Sequence, residues 1–354
     1  MGNENTQFIL SDVWNATIER SDRELKPRDY AYASEIGGAM IDRYLKMKGE
    51  PYTNSPNSRS MRKFMAGDIW EWIVQTVLVK AGIQFTQQDR VRVCYPDLVE
   101  VSGKVDFIIL GTTDFDNVKI DDTMPEFMQR LTQAIVDKFR GQTFEKCILE
   151  IKSLGSFVFE GLLATDNPKT NHMYQAFIYR KGTGLPTHIA YVCRDDVRLL
   201  QYSIDAIADA LEVEVIKDLE EITHYYRNDI EPEKEKLILW DAVGEKFTKN
   251  WKVEYSNYLS KLYAYNKNGD DAELTPFERP DEYYEWVAPQ VSGLNRVIKR
   301  LKEGKEVTSS NLEWINKMAD FGYPVASLNL TKVEPSADDN GDIKNKTKIG
   351  KHKI

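Results

Sequence analysis

Cysteine is scarce in this chain of 354 residues, with only Cys94, Cys147 and Cys193. They are widely spaced, each in an apolar, strand-like run, which fits neither a zinc ribbon nor a disulfide framework and points to a reducing compartment. Three thiolates are also too few for an all-cysteine iron–sulfur cluster. Long hydrophobic runs are missing too. No stretch approaches the roughly 20 apolar residues that cross a bilayer, so no membrane partner is expected. The opening MGNENTQFIL has no signal-peptide pattern, and the expectation is a cytoplasmic protein. Positive charge is not in excess: 47 Lys and Arg stand against 56 Asp and Glu, a net charge of −9. That balance argues against a protein that coats nucleic acid nonspecifically, while leaving room for a local basic groove. The chain has no glycine-rich phosphate loop, no nucleophile elbow, no His/Cys cluster and no internal repeat.

What remains is 42% hydrophobic and 29% charged, a globular composition long enough for a sizeable core. Residues 1–30 are polar, with a short helix expected near ILSDVWNATIERSDREL. ASEIGGAMIDRYLKM at 33–47 reads as a helix with Ser34 placed to cap its first turn. SMRKFMAGDIWEWIVQTVLVKA at 60–81 reads as a second helix, which Gly82 ends. Strand-like runs follow at TQQDRVRVCYP, VEVSGKVDFIILG and FEKCILEIKS, the last after a helical insertion at 124–141. A helix at 170–181, strands at HIAYVCR and RLLQYSI, and a helix at 204–227 complete this part. The order implies an α/β (α+β) core with a mixed sheet flanked by helices. From 231 the chain becomes charged and aromatic, with helices expected at 281–303 and 309–321. The organisation expected is therefore an N-terminal helical extension (1–30), a core (31–230), a helical accessory region (231–330) and a disordered lysine-rich tail (331–354).

Three acids stand out. In CILEIKS, Glu150 and Lys152 share a strand face with Ile148, while Cys147, Leu149 and Ile151 form the other. In VSGKVDFIIL, Asp106 reads as mid-strand, facing with Lys104 and Ile108 away from Val105, Phe107 and Ile109. Aspartate is a poor strand former and costly to bury unless paired or ligated. On the 60–81 helix, Phe64, Gly67, Glu71, Val74 and Leu78 form an inward stripe whose one charge is Glu71. Gly67 would admit another backbone or a phosphate. A surface ion pair between Glu150 and Lys152, or an ion site shared by Asp106 and Glu150, both fit these patterns.

Asp106 followed by Glu150-Ile151-Lys152 on the next long strand resembles the core of the PD-(D/E)xK nuclease superfamily. Gln175 and Tyr179, one turn apart in NHMYQAFIYRKG, resemble the QxxxY helix of its RecB-like branch, which includes phage exonucleases and Cas4-type nucleases. GDIWE at 67–71 is similar to the G-x-x-x-E element of the phage-exonuclease-like members. The resemblance spans roughly 33–230, with the motifs in the family's order. It departs in three places: no histidine on the first helix, no proline before Asp106, and none of the four cluster cysteines of Cas4-type proteins, so no iron–sulfur cluster is expected.

The resemblance implies a restriction-endonuclease-like core and a Mg²⁺- or Mn²⁺-dependent deoxyribonuclease, expected to be an exonuclease in DNA recombination, repair or processing, with a phage origin admitted. Asp106, Glu150 and Lys152 would be catalytic. Glu71, Asp106, Glu150 and the Ile151 carbonyl would hold the metal. Lys152 would sit beside the attacking water. Gln175 and Tyr179 would contact DNA, or pack their helix on the sheet; Arg62 and Arg43, with Lys63, would bind phosphate. His172 would be either a helix-start residue or a DNA contact. DNA with linear or single-stranded ends is the expected substrate, with a recombination or replication protein as candidate partner. Two other readings stay open: a catalytically silent nucleic-acid-binding or assembly module of the same fold, and an unrelated α/β protein whose strand acids form ion pairs.

Overall fold

The apolar run around Cys147 lies at the centre of the five-stranded sheet in this computed structural model, which describes residues 25–327 apart from 57, 114–119, 121, 140–141, 255, 264–279 and 321. Most of the short helix expected at the N-terminus and the lysine-rich tail lie outside the described residues. In chain order the elements are β1 (Tyr30–Tyr32), α1 (Met40–Lys48), α2 (Ser58–Lys80), β2 (Ile83–Gln87), β3 (Arg90–Val93), β4 (Glu100–Lys104), β5 (Phe107–Thr113) and α3 (Glu126–Phe139). Next come β6 (Cys147–Leu154), α4 (Ser156–Thr165), α5 (Thr170–Thr183), β7 (Thr187–Cys193), β8 (Leu199–Ser203) and α6 (Ala208–Asn228). β9 (Ile238–Asp241), β10 (Lys246–Lys249), α7 (Leu259–Tyr263), α8 (Pro280–Lys302) and α9 (Ser309–Asp320) complete the described chain.

The result is a mixed α/β fold. Five strands run in the order β2-β5-β6-β7-β8, with β6 and β7 parallel and the other neighbours antiparallel. A smaller sheet, β1-β4-β3, pairs β1 parallel to β4. Strand alternation sorts the larger sheet's side chains between two cores. Phe107, Ile109 and Ile151 pack with Trp70, Val74 and Leu78 of α2 on one face. Ile148 and Leu154 join α5, α6 and the smaller sheet on the other. The α6 stripe Ala208, Leu211, Val215, Leu219 and Ile222 is buried at helical spacing against this second core. Helix α5 is enclosed, burying five successive residues from Gln175 to Tyr179.

Three local expectations change. The helix expected at 33–47 is split into a 3₁₀ turn at Ala33–Glu35 and α1. Glu35 folds back to accept the Tyr32 N–H, and Gly37 takes φ +76° against the Tyr174 ring, where a Cβ would lie 2.8 Å from it. Ser34 therefore caps nothing; the carboxylate of Glu235 receives the Met40 N–H at the start of α1. The stripe expected on α2 holds only in its second half: Phe64 is exposed, and nothing lies within 4 Å of the position a Gly67 Cβ would occupy. Helix α4 is an element that the strand-and-helix pattern did not reveal.

The described residues from Leu237 to Asn250 and from Tyr283 onward form a second unit; those up to Lys236 and from Trp251 to Tyr263 belong to the first. In the second unit the β9–β10 hairpin is antiparallel. Phe247 packs edge-on against Trp240 and Tyr323, at centroid separations of 5.1 and 5.3 Å. The Asn295 amide brackets Phe247, accepting its N–H at 2.7 Å and donating to its carbonyl at 2.9 Å.

Arg43, expected to meet DNA, is 1% exposed. Its two Nη atoms hold Asp218 of α6 at 2.5 and 3.1 Å, locking α1 to α6. Helix α1 buries Met40, Ile41, Tyr44, Leu45 and Met47, which leaves this arginine inside the protein. Arg43→Met should lower the unfolding free energy by about 3–5 kcal/mol in urea titrations, because Asp218 loses its partner. The Arg43→Met/Asp218→Leu double variant should recover part of that loss. A single variant within about 0.5 kcal/mol of wild type would show the pair to be no more than a surface contact.

Candidate active site

Asp106 sits where the chain leaves the smaller sheet and enters the larger one. β4 ends at Lys104 and β5 begins at Phe107, so Asp106 is in the link and not mid-strand. Val105 accordingly joins the α5 side of the core, while Phe107 and Ile109 face α2, and the single face expected for those three does not form. The last β5–β6 pair is Phe107 with Leu149. Beyond it the Asp106 carboxylate takes over the ladder, accepting the Ile151 N–H at 2.8 Å. In an extended strand a residue's carbonyl projects to the same edge as its N–H, so the Ile151 carbonyl also faces the Asp106 side.

On β6 the alternation places Glu150 and Lys152 together on the α5 face. Glu150 is 1% exposed. Its Oε1 receives Lys152 Nζ at 2.6 Å and Gln175 Nε2 at 2.8 Å, and its buried Oε2 has no hydrogen-bond partner. Lys152 Nζ also donates to Gln175 Oε1 at 3.0 Å. Gln175 Nε2 reaches the Tyr179 hydroxyl at 2.9 Å, and that hydroxyl donates to the Lys104 carbonyl at 2.7 Å, two residues before Asp106. A Cβ on Gly103 would lie 2.6 Å from the Tyr179 ring, so glycine there lets the smaller sheet close on α5.

Gln175 and Tyr179 are thus interior residues, 8% and 2% exposed, and not surface contacts for DNA. The enclosed position of α5 explains the difference. They tie Glu150 and Lys152 to each other and to the strand leading into Asp106.

The electrostatics follow from burying more acid than base. Burial, and then the neighbouring Glu150 charge, push the Asp106 carboxyl up to about 8, with Glu71 adding to the effect. Burial disfavours the Lys152 ammonium, but Glu150 and Asp106 outweigh it and hold its pKa above the ordinary lysine value. Lys152 is therefore a cation across the physiological range.

Glu71 acts on this centre through its charge. Its Oε1 is held by the side-chain amides of Gln87 and Gln88 at 2.8 and 2.7 Å. Among the described residues no three His, Cys, Asp or Glu side chains stand close enough to hold a metal, so Glu71 does not close a three-carboxylate set with Asp106 and Glu150. The sequence does not foretell this glutamine clamp, which forms because the end of β2 lies beside α2, with Gln88 at φ +58°. Arg62 and Lys63 lie on the exposed first half of α2.

His172 is in the first turn of α5, at the helix start, one of the two readings left open for it. Its Nδ1 is 3.0 Å from the Tyr191 hydroxyl, which already accepts the Lys169 N–H at 3.0 Å. The hydrogen bond ties the first turn of α5 to β7, and which of the two groups donates depends on the ring tautomer.

No family model matches the sequence, and no curated protein matches it. Solved structures similar to this chain include SSO0001, at 17% identity over 59% of this chain and 85% of that one, with TM-score 0.36. The alkaline exonuclease LHK-Exo from Laribacter hongkongensis is 14% identical over 62% of this chain and 97% of its own, with TM-score 0.31. LHK-Exo in complex with dAMP gives 15% identity over the same shares, with TM-score 0.36. Likeness at this level establishes no shared activity.

Burial, with Lys152 and Lys169 nearby, drives the folded His172 pKa down to about 2, against about 6.5 when unfolded. Its contribution to stability is present above pH 6.5 and is lost as pH falls, because only the unfolded chain takes the proton. Between pH 7 and 5, wild type should lose up to about 1.4 kcal/mol per pH unit more than His172→Gln in urea titrations. Parallel slopes for the two proteins would show that His172 titrates normally in the folded state.

Proposed function

We propose that the chain is a metal-dependent nuclease that hydrolyses phosphodiester bonds in DNA. The observation that carries this reading is the buried Asp106–Glu150–Lys152 arrangement, in which two desolvated carboxylates face one ammonium and Glu150 Oε2 has no partner. A purely structural ion pair gains nothing from a second carboxylate that must resist ionisation. The motif order resembling RecB-like and phage-exonuclease-like nucleases supports the same reading and points to linear or single-stranded ends.

The donor set fits a hard divalent cation: Asp106, Glu150 and the Ile151 carbonyl offer only oxygen, with Glu71 in electrostatic reach. Bound Mg²⁺ or Mn²⁺ would polarise the phosphoryl oxygens. Lys152, permanently charged, cannot serve as general base. Its role is to orient the attacking water and stabilise negative charge as the P–O bond breaks. Gln175 fixes the Lys152 ammonium relative to Glu150. Tyr179 and Lys104 connect that geometry to Asp106.

Purified protein with Mg²⁺ or Mn²⁺ should degrade linear DNA. Asp106→Asn and Lys152→Ala should be slower on the order of 10²–10³-fold. A wild type no faster than both variants would leave a catalytically silent nucleic-acid-binding module as the better reading.

Metal binding should also appear in the absence of DNA. Mg²⁺ should raise the wild-type melting temperature in proportion to ln(1 + [Mg²⁺]/Kd), and should not raise that of Asp106→Asn. In EDTA at pH 7, Asp106→Asn should be at least as stable as wild type, because it removes a buried carboxylate repelled by Glu150. Equal Mg²⁺ responses in the two proteins would exclude Asp106 as a ligand.

A further inference from the structure

A cavity of about 750 Å³ opens at the N-terminal end of α5, within the first unit. It adjoins the candidate active site: His172 lines it, Lys152 acts electrostatically on His172, and Gln175 follows one turn later. Its volume lies in the range of small-molecule clefts.

Three lysines border it, Lys46, Lys169 and Lys252; Arg43 also lines it, with its Nη atoms committed to Asp218. Of the carboxylates there, Glu35 is engaged by Arg28 at 2.6 Å and pairs more loosely with Lys46 at 3.9 Å, and Asp42 accepts from Ser256 and Asn257 at 2.7 and 3.2 Å; Glu254 also lines the wall. Thr170 and Asn171 bring to the cavity N–H groups that no preceding helical carbonyl can reach. Trp251, 46% exposed, supplies an aromatic surface. Burial lowers the Lys169 pKa, with Glu254 only partly offsetting it, so an anion beside Lys169 would relieve its desolvation.

Cations, helix-start donors and one aromatic ring suit a phosphate attached to a planar base. We propose that this cavity is a nucleotide subsite, taking one nucleotide of the DNA strand with its base against Trp251 and its phosphate between Lys169 and the first turn of α5. The assignment rests on the nuclease reading for its place in the reaction.

The test uses the full chain in EDTA, so that binding through a metal at the carboxylates does not contribute. Thymidine 5′-monophosphate is titrated by calorimetry and tryptophan fluorescence, with inorganic phosphate and thymidine as separate arms. The monophosphate should bind more tightly than either fragment. Trp251→Ala should weaken it about fivefold or more while leaving phosphate binding unchanged. Lys169→Met should weaken both the monophosphate and phosphate. No binding of the monophosphate, equal binding by wild type and both variants, or phosphate matching the monophosphate would each overturn the assignment. Linear DNA hydrolysis is measured in parallel with Mg²⁺: cleavage without monophosphate binding rejects the subsite alone, and monophosphate binding by a chain that never cleaves rejects the nuclease reading alone.

Discussion

Lys152 reaches along its own strand face to Glu150 at 2.6 Å, in a part of the protein where neither charge is well solvated. Much of the first unit depends on keeping that pair and tolerating the second carboxylate beside it. Two buried charges of opposite sign barely repay their desolvation, and Asp106 is an additional cost. The pair is retained by hydrogen bonds from every direction the fold offers. Gln175 bonds both members, Tyr179 steadies Gln175, and the Lys104 carbonyl steadies Tyr179.

That requirement accounts for the position of α5. A helix buried on all sides is an expensive place for a glutamine and a tyrosine hydroxyl unless each polar atom is used. Here each is used, and the smaller sheet and the turn before α1 close on the helix at Gly103 and Gly37. The middle of the helix therefore holds Glu150 and Lys152 through residues that do not reach the solvent. Its first turn does meet open space, at the cavity lined by His172 and Trp251.

The charge distribution has a similar logic. A chain of net charge −9 still concentrates cations where the fold needs them, and burial decides what each one does. Arg43 is consumed in joining α1 to α6. Lys152 is held as a cation by the acids around it. Net charge alone could not distinguish these roles, because it is insensitive to which charges leave water.

The mixed α/β class, the apolar strand with Glu150 and Lys152 on one face, and the Gln175/Tyr179 spacing were legible in the sequence. Strand alternation and helical periodicity are local rules, and both held on β6 and α5. Three features were not legible. The link between two sheets at Asp106 depends on where β4 finds a partner, and alternation through VSGKVDF carries no mark of it. The burial of Arg43, Gln175 and Tyr179 depends on elements far away in the chain, Asp218 and Lys104 among them. The clamp on Glu71 depends on β2 lying beside α2. The sequence by itself determined which side chains are capable of chemistry and, on β6 and α5, on which face each stands. Only the tertiary structure decided which of them leave water, because desolvation is a property of the whole packed assembly and not of any short stretch.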